Sequence, residues 1–254
     1  MSWRFSSERS LFQKFHCHTM QKNNFLFIVR SYNEASRVWW VLSSILDAGF
    51  SHICVIDDGS SDHTTEVLKV FADKIYWVRH SINRWGWAAL ETWFEFARRY
   101  SGVYQWKYVV TFDADGQHDI RDMKNFFKEL ERHPKGEVIF GSRFIQKTSS
   151  NVPILRKIIL HWWKMFTRFI SNVHLTDAHN GYRLLSLNVL SRIRLTMDGM
   201  EYASELIDQI HRTGYRISEV PVNIHYDAYT LWKWQRYGGF MRIAIKMILN
   251  KFFL

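Results

Sequence analysis

Residues 111 to 119 read TFDADGQHD and place three carboxylates, those of Asp113, Asp115 and Asp119, directly after the apolar run YVV. Carboxylates this close repel one another, so the stretch indicates either a bound cation or a solvated acidic turn. In extended backbone Asp113 and Asp115 lie on one side of the chain. Their hard oxygens, with the amide oxygen of Gln117, favour Mg²⁺ or Mn²⁺ over zinc. The alternative is an acidic turn before a helix at residue 120, with Asp119 as its N-cap.

Polar segments also follow other short apolar runs of the chain. They are RSYNE at 30 to 34, DDGSSD at 57 to 62 and GSRF at 141 to 144. Carboxylates in such segments accept hydrogen bonds from a nucleobase edge or from ribose hydroxyls, and they also bind divalent cations. We therefore interpret these segments, together with the acidic stretch, as parts of one ligand site.

The elements that must position this site are predicted by hydrophobic periodicity. Five short runs rich in β-branched and aromatic residues indicate strands, at 25–29, 53–56, 75–78, 108–112 and 137–140. Segments with helical spacing separate them, and in the first of these Gly49 is a natural C-terminal stop. This alternation predicts an α/β fold with a mostly parallel sheet buried between helices, whose ligands bind beyond the carboxyl ends of the strands.

Composition limits the class of protein. The 254 residues, 47% of them apolar, predict one large folded domain with an elaborated end. Cys17 and Cys54 are the only cysteines and lack a CxxC spacing, which favours a reducing compartment. Residues 1 to 24 lack the apolar core of a secretory signal, so we expect a cytoplasmic protein.

The net charge of +10 is unevenly distributed. From residue 146 onward there are 15 Lys and Arg against 7 Asp and Glu, a net of +8, which leaves +2 for residues 1 to 145. Such a bias indicates an anionic partner, which is a membrane surface, a phosphorylated substrate or a nucleic acid, although ordinary solubility also explains it.

Six motifs in register resemble a known family. YNE, VIDDGSSDHT, FDADGQH, GSRF, DAHNGYRLL and EVPV occur in the order and at about the distances typical of family 2 glycosyltransferases with the GT-A fold. The chain is most similar to the dolichyl- and polyprenyl-phosphate sugar transferases, and the resemblance covers about residues 24 to 226. One difference is Arg30, which stands where the family usually has proline.

The resemblance implies a hexosyltransferase that uses a UDP- or GDP-linked sugar and transfers it with inversion. In this family the nucleotide would be framed by the residues that correspond here to Tyr32, Glu34, Asp57 and Asp58. The resemblance also assigns the metal, Mg²⁺ or Mn²⁺, to Asp113 and Asp115, with Gln117 as a further ligand. The ion would neutralise the charge that builds on the departing diphosphate.

Two kinds of acceptor remain open. A polyprenyl phosphate is already ionised near neutral pH and needs cations rather than a base, and Arg143, Arg156 and Arg183 are candidates to bind it. A glycan hydroxyl instead needs a carboxylate base. Candidates for that role are Asp177 and Glu205, with Glu201 and Asp198 nearby, and Asp177 also matches a family position of catalytic importance.

A third hypothesis, a basic protein that binds nucleic acid without catalysis, ranks far below these two. The chain has no recognisable nucleic-acid module, and its acidic residues lie where a phosphate backbone would be repelled.

Two basic and aromatic segments bear on membranes. Residues 154 to 170 and 238 to 254 mix bulky apolar side chains with Lys and Arg, and neither has the roughly 20 uninterrupted apolar residues of a spanning helix. We interpret both as amphipathic helices in the interface, peripheral on the cytoplasmic face of a membrane, although packing on the core or on a second subunit is an alternative. The predicted organisation is an N-terminal extension (1–23), a GT-A domain (24–226) and a C-terminal amphipathic segment (227–254).

Overall fold

The computed structural model describes residues 21–83, 87–134, 136–145, 173–178, 180–196 and 202–226. Within them a seven-stranded sheet has the order β3-β2-β1-β4-β6-β5-β7. The strands are β1 (Phe25–Ser31), β2 (Ile53–Asp57), β3 (Tyr76–Arg79), β4 (Tyr108–Asp113), β5 (Val138–Ser142), β6 (Arg183–Ser186) and β7 (Ile217–Pro221). The helices are α1 (Val38–Asp47), α2 (Thr64–Val70), α3 (Trp87–Tyr104), α4 (Met123–Arg132), α5 (Leu187–Arg192) and α6 (Tyr202–Arg212).

The five predicted strands are confirmed, and the α/β prediction with them. Two strands were not predicted. One of them, β6, runs antiparallel between β4 and β5, whereas β1, β2, β3 and β4 are parallel neighbours. The expectation that every strand is buried between helices was wrong for β3. It is one of the two edge strands of the sheet, and Tyr76 and Val78 are exposed there.

Hydrophobic clusters cover both faces of the sheet. Alternate residues of β1 divide between them: Phe25, Phe27 and Val29 pack with α1 and α4, while Leu26 and Ile28 pack with α3 and α6. This division follows from the two-residue period of a strand. The sheet is therefore fixed from both sides, and its carboxyl edge is a rigid base for the loops that follow.

The helix boundaries follow from local chemistry. In α1 the buried positions Val38, Val41, Leu42 and Ile45 recur every three or four residues. Gly49 follows the helix with a φ of 82°, a left-handed conformation that glycine adopts without strain, so its predicted role as a stop is confirmed. Among the described residues no helix is long and apolar enough to cross a membrane.

The segments on which the membrane predictions depend, 154–170 and 238–254, lie outside the described residues, as does Arg156. The same holds for residues 1–20 and for 227–254, so the predicted domain boundaries stay predictions.

Candidate active site

The polar segments predicted to form one site do meet at one edge of the sheet. β1, β2 and β4 are parallel, and β5 shares their direction because β6 is antiparallel to both β4 and β5. Ser31, Asp57, Asp113 and Ser142 therefore end their strands at the same edge. This is where open α/β sheets bind ligands.

The loops after β1 and β2 are joined to each other through Asn33. Its backbone lies in the left-handed region, with a φ of 54°. Its N–H donates to Ser60 Oγ at 2.9 Å, and its Oδ1 accepts from the N–H of Ser61 at 2.8 Å. These bonds hold the two loops together as the rim of the predicted nucleotide site.

The four predicted nucleotide-binding residues all lie on this rim, but they differ in exposure. Tyr32 is half-buried, whereas Glu34, Asp57 and Asp58 are buried. The Asp57 carboxylate faces its own loop, where it accepts from the N–H of Ser60 at 2.8 Å and from Thr65 Oγ1 at 2.6 Å. The geometry thus gives Asp57 a structural part in shaping the rim.

Asp58 is paired with His80, which is not among the predicted site residues. His80 Nδ1 lies 2.9 Å from Asp58 Oδ1, and the two side chains form a nearly buried pair. The loop that follows Asp58 turns sharply at Gly59, where a Cβ would lie 2.8 Å from Asn83 N. Only glycine fits that position without displacing backbone.

Both carboxylate oxygens of Asp113 lie next to basic side chains. Arg30, its neighbour across β1 and β4, donates from Nη2 to Asp113 Oδ1 at 2.8 Å, and His118 Nε2 lies 3.4 Å from Oδ2. Burial alone would raise the pKa of Asp113, but the charge of Arg30 and the hydrogen bond with His118 outweigh it and hold the pKa below its ordinary value. Asp113 is therefore an anion.

A close backbone approach fixes the second oxygen of Asp113. A Cβ on Gly181 would lie 2.3 Å from Asp113 Oδ2 and 3.3 Å from His118 Nε2. The Gly181 carbonyl accepts from Thr111 Oγ1 at 2.6 Å, which locks the loop before β6 onto β4. Gly181 is thus required so that this loop can pass over the carboxylate.

Asp115 and Gln117 lie on the loop after β4. Asp115 Oδ1 accepts from the N–H of Gln117 at 3.0 Å, and the Asp115 carbonyl accepts from Arg37 Nη1 at 3.1 Å. Asp119 has a different role, because its carboxylate accepts from the N–H and the guanidinium of Arg121 and caps the turn Ile120–Asp122. The alternative interpretation as a helix cap is therefore confirmed for Asp119.

The donor set suits a hard divalent cation. Within the described residues no group of three or more His, Cys, Asp and Glu side chains forms a complete metal centre. Two carboxylates, with the amide of Gln117 on the same loop, match an ion such as Mg²⁺ or Mn²⁺ that completes its shell with phosphate oxygens and water. The residues present fit the predicted metal.

The two residues proposed for opposite acceptor roles, Arg143 and Asp177, form one buried ion pair. Arg143 Nε donates to Asp177 Oδ2 at 2.6 Å, and Arg143 Nη1 donates to Tyr226 Oη at 2.5 Å. Both side chains are 5% exposed or less. Glu219 accepts from the N–H groups of Thr176 and Asp177 and so holds this loop against β7.

Arg183 is fully buried beneath the site. Its guanidinium donates to the Ala178 carbonyl at 3.2 Å and lies 4.9 Å from the centre of the Phe140 ring. Burial lowers the pKa of Arg183, and the nearby Tyr202 and Asp113 oppose that effect.

Glu205, a candidate base, already accepts hydrogen bonds from Thr196. Its carboxylate accepts from the N–H of Thr196 at 2.9 Å and from Thr196 Oγ1 at 2.7 Å. It therefore fastens α6 to the segment that follows α5. Glu201 and Asp198 lie outside the described residues.

Sequence reasoning missed the contacts that Arg30, His118, Gly181 and Tyr202 make around Asp113. Tyr202 Oη accepts from Arg30 Nη1 at 3.2 Å. His118 and Gly181 lie within the FDADGQH and DAHNGYRLL motifs. That both residues belong to these motifs is the sequence signal that could have identified them as part of the site. No local pattern links Arg30 to Tyr202.

The sheet order and the acidic motif after β4 define a glycosyltransferase of the GT-A fold. A family model described as Glycosyl transferase family 2 matches residues 26–194. The chain belongs to this family, and the protein is a transferase enzyme.

Curated relatives cover most of the chain. An uncharacterised protein of Methanocaldococcus jannaschii is 28% identical over 92% of this chain and 95% of its own length. A UDP-N-acetylglucosamine–dolichyl-phosphate N-acetylglucosaminyltransferase of Methanococcus voltae is 26% identical over 80% of this chain and 86% of its own. The polyprenol monophosphomannose synthase of Mycolicibacterium smegmatis is 27% identical over 78% and 76%.

Solved structures support the fold. Glucosyl-3-phosphoglycerate synthase from Mycobacterium tuberculosis in complex with UDP has a TM-score of 0.63 and 15% identity, and the match covers 89% of this chain and 79% of that one. A complex of the same enzyme with Mn²⁺, UDP and phosphoglyceric acid matches with the same TM-score.

Proposed function

We propose that this chain transfers a sugar from a nucleoside diphosphate sugar to a polyprenyl phosphate, with inversion and with the help of Mg²⁺ or Mn²⁺. The observation that carries the proposal is the pair Asp113 and Asp115 at the carboxyl edge, within a chain whose curated relatives include enzymes named for dolichyl-phosphate and polyprenol acceptors.

Two features support a nucleoside diphosphate sugar as the donor. They are the rim formed by the loops after β1 and β2, and the acidic motif after β4. Tyr32, Glu34 and Asp58, on the loops after β1 and β2, would contact the nucleoside. A divalent ion bound by Asp113 and Asp115, with Gln117, would offset the charge of the leaving diphosphate as a Lewis acid. The structural neighbour in complex with Mn²⁺ and UDP supports a divalent ion and a UDP-linked donor, and a GDP-linked sugar is the alternative donor.

The choice of a phosphate acceptor rests on the hydrogen bonds that Asp177 and Glu205 already accept from the protein. A hydroxyl acceptor needs a carboxylate that can take up its proton. Asp177 is bound to Arg143, and Glu205 is bound to Thr196, so both carboxylates already accept hydrogen bonds from the protein. A phosphate acceptor needs no base, which agrees with this arrangement.

The reaction balances without an added proton acceptor. A phosphate oxygen of the lipid forms the new bond to the anomeric carbon as the bond from that carbon to the diphosphate breaks, and the electron pair leaves with the diphosphate. The chain contributes by positioning both substrates, and the buried guanidinium of Arg183 would add positive charge beneath this edge.

We infer that the enzyme reaches its lipid as a peripheral protein on the cytoplasmic face of a membrane. The basic excess after residue 146 and the amphipathic segment 227–254 support this. The GT-A domain would then be residues 24–226, preceded by an extension at 1–23.

The test is sugar transfer from radiolabelled UDP- and GDP-sugars to a membrane lipid extract, with Mn²⁺, with Mg²⁺ and with EDTA. We expect metal-dependent label in an organic-soluble product that mild acid cleaves. Donor hydrolysis without labelled lipid would leave the donor site standing and overturn the acceptor, in favour of a glycan hydroxyl. If no donor is turned over, the metal site itself is overturned.

A further inference from the structure

The guanidinium of Arg30 places a positive charge directly at Asp113, one of the two carboxylates proposed to bind the metal ion. Arg30 donates to Asp113 Oδ1 at 2.8 Å, and His118 lies 3.4 Å from Oδ2 on the other side of the same carboxylate. Both oxygens of Asp113 are thus already in contact with basic side chains. A divalent ion that binds Asp113 must share this carboxylate with Arg30.

The strand register and the contacts with Tyr202 together hold the side chain of Arg30 in place. Arg30 and Asp113 are register partners on β1 and β4, so their side chains leave the sheet on the same face. Arg30 also donates to Tyr202 Oη at 3.2 Å, and its guanidinium carbon lies 5.9 Å from the centre of the Tyr202 ring. The side chain of Arg30 is only 27% exposed. The guanidinium is therefore held at the carboxylate and does not sample the solvent freely.

We propose that Arg30 is a positioning residue of the donor site, which holds Asp113 in the absence of substrate, weakens the affinity of the substrate-free site for a divalent cation and makes that affinity depend on the diphosphate of the donor. The inference rests on the proposed function. Its physical basis is charge: the guanidinium attracts Asp113 and the diphosphate, and it repels the divalent ion.

The arrangement makes the ion and the diphosphate bind cooperatively. Without a diphosphate, the ion meets two carboxylates and a fixed positive charge beside one of them. With the diphosphate bound, its negative charge offsets Arg30. Because such coupling is reciprocal, the ion must strengthen nucleotide binding by the same factor by which the nucleotide strengthens ion binding.

The experiment is a titration of the purified full chain with Mn²⁺ alone, in which free Mn²⁺ is followed by its electron paramagnetic resonance signal. We expect Arg30→Gln and Arg30→Met to bind Mn²⁺ on the order of tenfold more tightly than the wild type, the size expected for an opposite charge next to a carboxylate. Arg30→Lys, which keeps the charge, should stay within about threefold of the wild type. Equal or weaker Mn²⁺ binding by both neutral variants would overturn the inference.

Tyr202→Phe is the matched control, because it removes the second hydrogen bond of Arg30 and keeps the charge. Its Mn²⁺ affinity should stay within about twofold of the wild type. A gain as large as that of Arg30→Gln would show that packing and not charge sets the affinity, and would overturn the inference. If a neutral variant is too unstable for the titration, its thermal unfolding is measured instead, with and without Mn²⁺. Mn²⁺ should raise the melting temperature of the neutral variant more than that of the wild type.

Failure of the proposed function has a different signature. Asp115→Asn in the Arg30→Gln background should abolish the tight Mn²⁺ binding, which assigns the ion to the acidic motif. If the wild type and all variants bind no Mn²⁺, even with UDP or GDP present, the metal-dependent function falls together with the inference.

Discussion

Arg143 and Asp177 lie 34 positions apart in the chain, yet the Arg143 Nε and the Asp177 Oδ2 are 2.6 Å from each other in the buried interior of the site. The sequence offered them as rival acceptor residues, one to bind a phosphate and the other to deprotonate a hydroxyl. As an ion pair they hold the loop after β5 against the segment before β6.

The first prediction concerns this pair. Asp177→Asn leaves the Arg143 charge buried without its counter-ion, so we expect a loss of about 3 to 5 kcal/mol in the free energy of unfolding, measured by denaturant titration. The double variant Arg143→Met with Asp177→Leu should recover much of that loss. Asp208→Asn is the control, because its pair with Arg212 is on the surface and should cost about 0.5 kcal/mol or less. If Asp177→Asn costs no more than the control, the pair does not stabilise the loop.

The second prediction concerns Gly181. Alanine at this position brings a Cβ to 2.3 Å from Asp113 Oδ2, so either the carboxylate or the loop must move. We expect Gly181→Ala to lower kcat/KM on the order of a hundredfold, with a cost of about 1 to 3 kcal/mol in stability.

Gly102→Ala is its control. Nothing lies within 4 Å of a Cβ at Gly102, which is in α3, so this change should stabilise the protein by about 0.5 to 1 kcal/mol without loss of activity. Equal activity of the two alanine variants would show that Asp113 tolerates displacement.

The third prediction separates the carboxylates of the acidic motif. Asp113→Asn and Asp115→Asn should each reduce transfer on the order of a thousandfold, because each removes a ligand of the ion that offsets the leaving charge. Asp119→Asn should keep most of the activity and cost about 1 kcal/mol in stability, since Asp119 caps a turn and pairs with Arg121. A thousandfold loss in Asp119→Asn would instead place that residue in the reaction.

The fourth prediction is a dependence of stability on pH. Cys54 is a buried free thiol on β2, and burial raises its pKa well above the ordinary value. The unfolded thiol ionises at about 8.5, whereas the folded thiol stays protonated there, so unfolding releases a proton. Stability should therefore fall as the pH rises above about 8.5, toward the raised folded pKa.

Cys54→Ala should remove that part of the pH dependence. In a Cys17→Ser background, an alkylating reagent at pH 8 should label Cys54 only after denaturation. Rapid labelling of the native protein would contradict the burial of this thiol.

The sequence by itself determined the class of fold and the location of the site. The short apolar runs predicted β1, β2, β3, β4 and β5, because short runs of apolar, β-branched and aromatic side chains favour strands both inside a sheet and at its edge. The segments after these runs carry the acidic and basic residues, and parallel strands must bring them to one edge. For this reason the sequence alone is enough to place Asp113, Asp115 and the rim residues together.

Only the tertiary structure decided which side chains meet. The pairing of Arg30 with Asp113 joins residues 83 positions apart, and it exists because β1 and β4 are neighbours in register. The insertion of the short antiparallel β6 between β4 and β5 brings Gly181 over Asp113 and buries Arg183. Local periodicity shows which face of a segment is buried, but it does not show which distant segment covers that face, because that choice depends on the packing of the whole chain.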